Sequence, residues 1–377
     1  MNHMNKLTTL LFAGICSLTF AQIPPNYYAG TEGLTGYTLK SKLSEIISDG
    51  ALDLGYGTGT GGLWTTFYTS DVDKYYENNG SVLDMYSEKP VGPDAYEYKL
   101  GRTSDGGNQC GTTNSLDQEN SCYNREHTMP KSFFGGINAR PMANDAHFVI
   151  PADYFVNGQR FNYPYGETNS PDWTSTNGSK VGGCTFPDYG GTIFEPINEF
   201  KGDLARMQLY FITRYESRLP NFSQYNSSMN PMDGTKDRGF KQWYVNLMLK
   251  WSLQDPVSQK EIDRNNAIYA RQQNRNPFID HPEWVFAIWN STLSTSDTAI
   301  FENKISLYPN PARNGEISLA GSGLENIKTV QIFSLEGRLL QTIQQDFRAN
   351  RKIDLKNLSK GVYLLKTPQQ TLKFIVN

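Results

Sequence analysis

The sequence predicts an α+β protein with two folding units, a large mixed domain followed by a small all-β sandwich. A chain of 377 residues is longer than one compact core usually holds. The larger part combines apolar strand-like segments with helical repeats, whereas residues 304–377 contain only short alternating or apolar runs. A Ser- and Thr-rich stretch separates the two parts, as is typical of a linker.

The N-terminus predicts a secretory signal peptide over residues 1–21. Lys6 supplies the positive charge, and the apolar run Leu7–Phe20 follows it. The small residues Thr19 and Ala21 are placed for cleavage after residue 21. No other apolar run in the sequence is long enough to span a bilayer, so we expect an exported protein without a stable membrane span.

Removal of the signal peptide leaves three cysteines, Cys110, Cys122 and Cys184. Thiols tend to pair in an oxidising compartment, so one of the three is expected to stay unpaired. We favour a Cys110–Cys122 disulfide because these two residues are close in sequence and flank a polar loop. The other two pairings, and three free thiols, remain open. A lipoprotein signal at Cys16 is a weaker alternative, because an isoleucine rather than a small residue precedes it.

The large domain, predicted over residues 22–290, contains recognisable helices. Apolar residues recur at helical spacing at Leu204, Met207, Phe211 and Tyr215. Another helix is predicted to begin at Ser258, whose side chain can cap the helix while Glu261 reaches back. Asp255–Pro256 ends the helix before it. We expect these helices to be scaffold.

Residues 291–303 form the predicted linker, and residues 304–377 the predicted β-domain. Six short segments alternate or run apolar: Ile305–Tyr308, Thr329–Ser334, Arg338–Ile343, Lys352–Leu355, Gly361–Lys366 and Thr371–Val376. Glu336–Gly337 is a predicted turn. Six short strands imply a small sandwich.

This tail resembles the C-terminal sorting domain of type IX secretion substrates. The matching pieces occur in the same order: Leu307–Pro311, Phe333–Gly337, Leu358–Tyr363 and Lys373–Val376. The resemblance implies a secreted or cell-surface protein that the type IX secretion machinery exports. A carbohydrate-binding or adhesive β-module would share the architecture, but it would not require these segments.

Charge restricts how this protein could meet a polyanion. The formal net charge is -3, which argues against bulk electrostatic attraction to nucleic acid. A nucleic-acid substrate would therefore have to be held by a local basic site and bound cations.

Histidine is scarce in the mature chain, which contains only His127, His147 and His281. His127 directly follows Glu126, so a potential oxygen ligand adjoins a potential general base. Successive side chains of a strand point to opposite faces, so both residues can address one site only if the backbone bends there. A Glu-His pair alone is weak evidence for a catalytic site, so the surrounding sequence has to support that interpretation.

The context is a second segment, in which the apolar run Asp145–Asp153 is followed by Val156–Pro164. Two strands and the start of a helix are predicted between residues 125 and 162. Histidine on the first strand and an amide, Asn157, on the following helix resemble the ββα-metal nuclease motif.

The whole stretch is similar to the endonuclease I family of periplasmic and extracellular bacterial nucleases. That family has Arg-Glu-His-x-x-Pro first, here residues 125–130, and Val-Asn-Gly-x-Arg-x-Asn second, here residues 156–162. Further segments match in family order: Asn177–Lys180, Phe194–Pro196, Lys201–Arg206, Arg214–Glu216, Leu253–Val257 and Asn276–Pro282. The resemblance covers roughly residues 50–290 and implies a metal-dependent endonuclease without sequence specificity.

Carried over by position, the resemblance implies that His127 is the general base and that Glu126 and Asn157 hold the metal. A neutral imidazole can take a proton from water near neutral pH. One carboxylate and one amide oxygen suit a hard divalent cation such as Mg²⁺, with Ca²⁺ or Mn²⁺ as alternatives.

An arginine is expected at the scissile phosphate, because a guanidinium makes bidentate bonds to phosphate oxygens. Arg160 is the first candidate, because it lies three residues after Asn157 on the same helical face. Arg140 is the only arginine between the two metal ligands and is the second candidate. Lys131 is a further candidate for binding the substrate. A structural ion pair for Arg160 and a solvated surface charge for Arg140 are the alternatives.

Other charged and histidine residues are expected to be structural. His147, on an apolar strand near Asp145, is interpreted as a core histidine rather than a group that orients the base. His281 is expected to pack against Trp284 or Trp289. Several cations could line a groove but are expected to be ordinary surface or helix charges: Lys180, Lys201 and Arg206.

Two other functions fit parts of the sequence. A secreted zinc hydrolase such as a peptidase is disfavoured, because there is no His-Glu-x-x-His helix and no cysteine-histidine spacing for zinc. A noncatalytic adhesin would use the same sorting tail, but the intact set of Glu126, His127 and Asn157 weighs against it. We expect a monomer.

Overall fold

A computed structural model describes residues 23–57, 61–111, 117–222, 228–289 and 305–376, apart from 314, 322–323, 325–326, 335–337 and 369. The predicted signal peptide and linker, and the predicted turn at Glu336–Gly337, lie outside the described residues. No helix in the described ranges is both long enough and apolar enough to cross a membrane.

Helices build most of the large domain. They are α1 (Gly36–Ser48), α2 (Leu63–Ser70), α3 (Tyr154–Arg160), α4 (Lys201–Arg214), α5 (Leu219–Phe222), α6 (Gln242–Gln254), α7 (Gln259–Gln272), α8 (Pro277–Asp280) and α9 (Glu283–Trp289). Short 3-10 turns occur at Thr103–Asp105, Lys131–Phe133, Met142–Asn144, Asn198–Phe200 and Glu216–Arg218. Every residue of α4 is buried, so the predicted helix through Leu204 and Phe211 is confirmed as the central helix.

The predicted boundary between two helices is also confirmed. α6 ends at Gln254, just before the Asp255–Pro256 pair. α7 begins after Ser258, which accepts a hydrogen bond from the Glu261 backbone while the Glu261 side chain accepts one from the Ser258 backbone. This reciprocal cap satisfies two backbone donors that the first turn leaves without helical partners.

Two strands and α3 form the predicted ββα unit. β1 (Tyr123–His127) pairs antiparallel with β2 (Val149–Asp153), with His127 opposite Val149. α3 follows β2 at once, because the Asp153 side chain accepts a hydrogen bond from the Val156 backbone and caps the helix. The α+β class and this order of elements are thus confirmed.

Aromatic packing joins the ββα unit to α4. Phe148 lies just before β2, and its ring centroid is 4.9 Å from that of Phe211 on α4. Phe134, which follows β1, lies 5.4 Å from the same Phe211 ring. These rings belong to the main hydrophobic core. The ββα unit therefore packs on the main hydrophobic core.

A disulfide ties the segment before β1 to that strand. Cys110 and Cys122 are bonded, with their Cα atoms 4.9 Å apart, which confirms the favoured pairing. Cys184 is not part of a disulfide. A second, three-stranded antiparallel sheet lies in the large domain and was not predicted: β3 (Pro171–Thr174), β4 (Lys180–Gly183) and β5 (Thr192–Glu195).

The C-terminal domain is all-β, as predicted, with its own core. Its strands are β6 (Ile305–Arg313), β7 (Glu316–Gly321), β8 (Thr329–Ser334), β9 (Leu339–Gln344), β10 (Lys352–Asp354), β11 (Gly361–Lys366) and β12 (Thr371–Val376). Two antiparallel groups, β10-β7-β6 and β9-β8-β11-β12, meet where β12 pairs parallel with β6. The sequence predicted six of these strands and missed β7. That strand ends in small residues with weak strand preference, and it forms by pairing with β6.

Candidate active site

A cavity of about 330 Å³ opens over the ββα unit. Five of the predicted site residues line it: Glu126, His127, Lys131, Asn157 and Arg160. The sixth, Arg140, does not. Glu126 and His127 are the last two residues of β1, and both line this one cavity.

The imidazole of His127 is held in one tautomer. Its Nε2 lies 3.0 Å from the Ala143 carbonyl oxygen. A carbonyl only accepts, so Nε2 carries the proton and Nδ1 carries the lone pair. Nδ1 is buried and has no hydrogen-bond partner. The Tyr56 ring stacks on the imidazole at a centroid distance of 5.9 Å and fixes the ring plane.

The surroundings keep this imidazole neutral. His127 is only 3% exposed, and burial lowers its pKa to about 3. The hydrogen bond to the Ala143 carbonyl opposes that shift, and the nearby charge of Lys131 adds to it. His127 is therefore an unprotonated base at neutral pH.

The Glu126 carboxylate is also 3% exposed. Its Oε1 accepts a hydrogen bond of 3.1 Å from the Tyr86 hydroxyl and lies 3.3 Å from Arg160 Nε. Burial raises the pKa of Glu126, and the positive charge of Arg160 opposes that shift. Both partners contact the same oxygen, so they hold the carboxylate from one side.

The Asn157 amide is oriented by a second asparagine. Asn157 Nδ2 donates a 2.8 Å hydrogen bond to Asn124 Oδ1, across from α3 to β1. This bond occupies the amide nitrogen and leaves Asn157 Oδ1 as the free acceptor side of the group. Asn157 is therefore presented to the cavity as an oxygen donor.

The N-terminus of α3 is anchored by buried carboxylates. Asp153 accepts hydrogen bonds from the hydroxyls of Tyr98, at 2.5 Å, and Tyr96, at 3.0 Å. The Asp153 backbone donates to Asp84 Oδ2 at 2.7 Å. Burial, and then the charge of Asp153, raise the pKa of Asp84 to about 7. These contacts set the direction in which α3 leaves the sheet and so position Asn157.

Arg160 is buried, and its donors are directed inward. Nη2 donates to the Thr128 carbonyl at 2.6 Å, and Nη1 lies within 3.4 Å of the His127 carbonyl. With the ion pair to Glu126, the guanidinium joins α3 to the end of β1. The structural ion pair considered from the sequence is thus present, and the residue also lines the cavity.

Arg140 lies away from the cavity lining. Its Nε is 2.7 Å from Asp53 Oδ2, and its side chain is 60% exposed. Asp53 Oδ1 accepts a 2.7 Å hydrogen bond from Asn144 Nδ2. Asn144 directly follows Ala143, whose carbonyl holds His127. Arg140 therefore helps to anchor the turn that orients the imidazole.

The other cations and histidines that the sequence analysis considered lie outside the cavity lining. Lys201 and Arg206 form buried ion pairs with Glu195 and Glu261, at 2.7 and 2.5 Å. Lys180 lies 3.9 Å from Glu195. His147 bonds to the Asn274 carbonyl at 3.0 Å. His281 stacks on Trp284 at 3.9 Å. His147 and His281 thus have the core and packing positions predicted for them.

Sequence reasoning missed several residues of the cavity. Asn124 and Arg125 are adjacent to the Glu-His pair, so their position was the available signal. Arg125 donates to the Tyr56 carbonyl at 2.6 Å and stacks over the Tyr56 ring at 3.4 Å. Phe161 also lines the cavity; it is 56% exposed and has a φ of 53°. Nothing in the local sequence marks Tyr56 or that φ angle.

Comparison with known families matches both parts of the chain. The family model for endonuclease I matches residues 35–283, a range that contains the whole ββα unit. The chain belongs to the endonuclease I family. A model of the secretion system C-terminal sorting domain matches residues 306–377. Together the two matches identify a nuclease that is secreted or displayed at the cell surface.

Two extracellular ribonucleases from Bacillus species are similar to this chain. The extracellular ribonuclease of Bacillus subtilis strain 168 is 33% identical over 266 residues, which are 70% of this chain and 78% of the relative. The extracellular ribonuclease of Bacillus amyloliquefaciens is 32% identical over 269 residues, with the same coverage of 70% and 78%.

Proposed function

We propose that this secreted nuclease is a metal-dependent endonuclease that hydrolyses phosphodiester bonds without base preference, with His127 as the general base. The observation that carries the proposal is the buried, unpartnered Nδ1 of a neutral His127 at the cavity. A buried acceptor without a partner is costly, and a catalytic role is one explanation for its presence. Abstraction of a proton from water is such a role.

In the proposed step, His127 Nδ1 takes a proton from a water molecule in the cavity. The water oxygen bonds to phosphorus, and the bond from phosphorus to the 3′ oxygen breaks. The 3′ oxygen leaves with the bonding electrons and takes a proton from solvent. The Nε2 hydrogen bond to Ala143 stabilises the resulting imidazolium, because it is retained when the ring becomes charged. The stacked Tyr56 ring keeps Nδ1 directed at the same point throughout.

The donor set fits a hard divalent cation. We propose Glu126 and the Oδ1 of Asn157 as its protein ligands, because one is a buried carboxylate held through Oε1 and the other is an amide whose nitrogen is already bonded. Oxygen ligands favour Mg²⁺, Ca²⁺ or Mn²⁺. When bound, the cation offsets charge on the phosphate and on the leaving oxygen.

Three cations are proposed to act on the substrate. Lys131 is exposed and lines the cavity, so it is the direct phosphate contact. Arg160 places a fixed positive charge in the cavity wall beside Glu126. Arg140 has its exposed guanidinium outside the cavity lining and is proposed to contact a phosphate further along the strand. Phosphate contacts of this kind position the substrate without reading its bases.

The relatives point to RNA among the substrates. Both carry the name extracellular ribonuclease and share about a third of their aligned residues with this chain. We propose that the enzyme cuts RNA, DNA or both, as a monomer. We also propose that the chain divides into a signal peptide (1–21), a catalytic domain (22–290), a linker (291–303) and a sorting domain (304–377).

The test is cleavage of RNA and of DNA by the purified protein, with and without EDTA, beside a casein digest. We expect cleavage of nucleic acid only, its loss in EDTA and its return with Mg²⁺. His127→Ala should lower the rate about 10²–10⁴-fold, the usual contribution of a general base. His281→Ala, which removes a histidine outside the cavity lining, is the matched control. Undiminished cutting in EDTA, or near wild-type turnover by His127→Ala, would refute the proposal.

A further inference from the structure

We propose that Glu77, Glu88 and Asp94 form a second cation site, separate from the catalytic cavity, that takes Ca²⁺ and stabilises the fold. One carboxylate oxygen from each of the three residues lies within 4.8 Å of the others. None of the three lines the cavity that holds His127.

The distances suit a shared ion. Calcium binds oxygen at about 2.3–2.6 Å, so two oxygens on opposite sides of one ion lie up to about 5 Å apart. All three pairs of oxygens fall inside that limit. No histidine or cysteine belongs to the cluster, and an all-carboxylate set favours Ca²⁺ over zinc.

An independent observation also points to a cation at this cluster. Glu88 is only 2% exposed, yet its Oε1 has no hydrogen-bond partner. A buried carboxyl oxygen without a partner is unfavourable. Within the part of the chain that the structure describes, no ion pair involves Glu77, Glu88 or Asp94. A cation from solution would give the Glu88 carboxyl oxygen the partner that the described residues do not supply.

The backbone already holds two of the three ligands in place. The Glu88 backbone donates to the Asp84 carbonyl at 2.9 Å, and the Glu88 carbonyl accepts from Asn177 Nδ2 at 3.2 Å. Asp94 Oδ1 accepts a 2.6 Å hydrogen bond from the Lys89 backbone, which closes the loop between them. An ion could therefore bind with little rearrangement.

The position of the site explains what the ion would do. The segment from Asp84 to Asp94 carries Tyr86, whose hydroxyl bonds to Glu126. It also carries the Asp84 side chain, which accepts from the Asp153 backbone at the start of α3. A cation at Glu88 would brace this segment against the catalytic unit, so its role is structural rather than chemical.

The test is thermal unfolding of the whole secreted chain in Ca²⁺ and in EGTA. The background is Asn157→Ala, which removes one of the two proposed catalytic metal ligands and so reduces the stabilisation that a cation in the catalytic cavity contributes. We expect Ca²⁺ at about 100-fold above its Kd to raise the Tm by about 5–10 °C. Glu88→Gln and Glu77→Gln should each abolish most of this shift.

Glu97→Gln is the matched control, since it removes an exposed carboxylate of the same loop outside the cluster, and it should keep the full shift. Absence of any Ca²⁺ shift in the Asn157→Ala protein would overturn the proposal, as would an unchanged shift in both Glu88→Gln and Glu77→Gln. Glu77→Gln decides the matter if Glu88→Gln does not fold. The readout is unfolding, so its outcome is independent of whether the proposed nuclease mechanism is correct.

Discussion

Replacement of Asn124 by alanine should weaken the proposed catalytic metal site without removing a proposed ligand. Asn124 Oδ1 accepts the 2.8 Å hydrogen bond that occupies Asn157 Nδ2. Without that acceptor, the Asn157 amide is free to rotate and to present nitrogen instead of oxygen. The side chain of Asn124 thus orients Asn157, the proposed metal ligand.

The expected size follows from that role. Loss of a group that orients a metal ligand typically lowers metal affinity by about 10–100-fold. This corresponds to about 1.4–2.8 kcal/mol. At saturating metal the Asn157 oxygen is bound again, so the maximal rate should return close to the wild-type value. The effect should therefore lie in the metal concentration for half-maximal rate.

The assay is the rate of nucleic-acid cleavage as a function of Mg²⁺ concentration. Asn124→Asp keeps an acceptor for Asn157 Nδ2 and should not show the loss of affinity. Asn162→Ala is the matched control, because Asn162 is another amide of the same cavity lining and forms no bond to Asn157. An unchanged Mg²⁺ dependence in Asn124→Ala, or the same weakening in Asn162→Ala, would refute the positioning argument.

Three further outcomes are expected. In the folded protein the pKa of His127 is about 3, below its unfolded value, so the contribution of His127 to stability is present above about pH 6.5 and is lost as pH falls. In urea unfolding without metal, the free energy of unfolding of the wild type should fall by about 2 kcal/mol more than that of His127→Gln between pH 7 and pH 5. Equal losses in the two proteins would contradict this. Phe161→Ala should raise KM for single-stranded substrate about 10-fold with little change in kcat, because an exposed ring beside the cavity can stack on a base, and an unaltered KM would exclude that contact. A chain ending at residue 290 should still cut nucleic acid but should not be exported, since the two domains have separate cores; a folded but inactive truncation would oppose this division.

The clustering of most candidate site residues at one cavity could be predicted because they lie in two short segments. Residues 125–130 and 156–162 carry Glu126, His127 and Asn157 at spacings that predict two strands and a helix. The cap at Ser258 and the alternation of the C-terminal strands were readable for the same reason. Each depends on neighbours within a few residues, where backbone geometry alone decides which side chains meet.

The use of each arginine could not be predicted in this way. The sequence ranked Arg160 before Arg140 as the phosphate contact, but Arg160 is buried against Glu126 and Arg140 pairs with Asp53 on the surface. Asp53 lies 87 residues before Arg140 in the chain. No periodicity links residues at that separation, so the choice of partner follows from how the core brings the segments together.

The sequence by itself determined which chemical groups are available and the local elements that carry them. Tertiary structure alone decided their state. It placed Tyr56 on the His127 ring, aimed the Ala143 carbonyl at Nε2 and brought the Tyr86 hydroxyl to Glu126 from 40 residues away. The physical reason is that a tautomer, a raised or lowered pKa and a buried unpartnered atom depend on solvent exclusion and on contacts between distant segments. Both arise only when the chain packs.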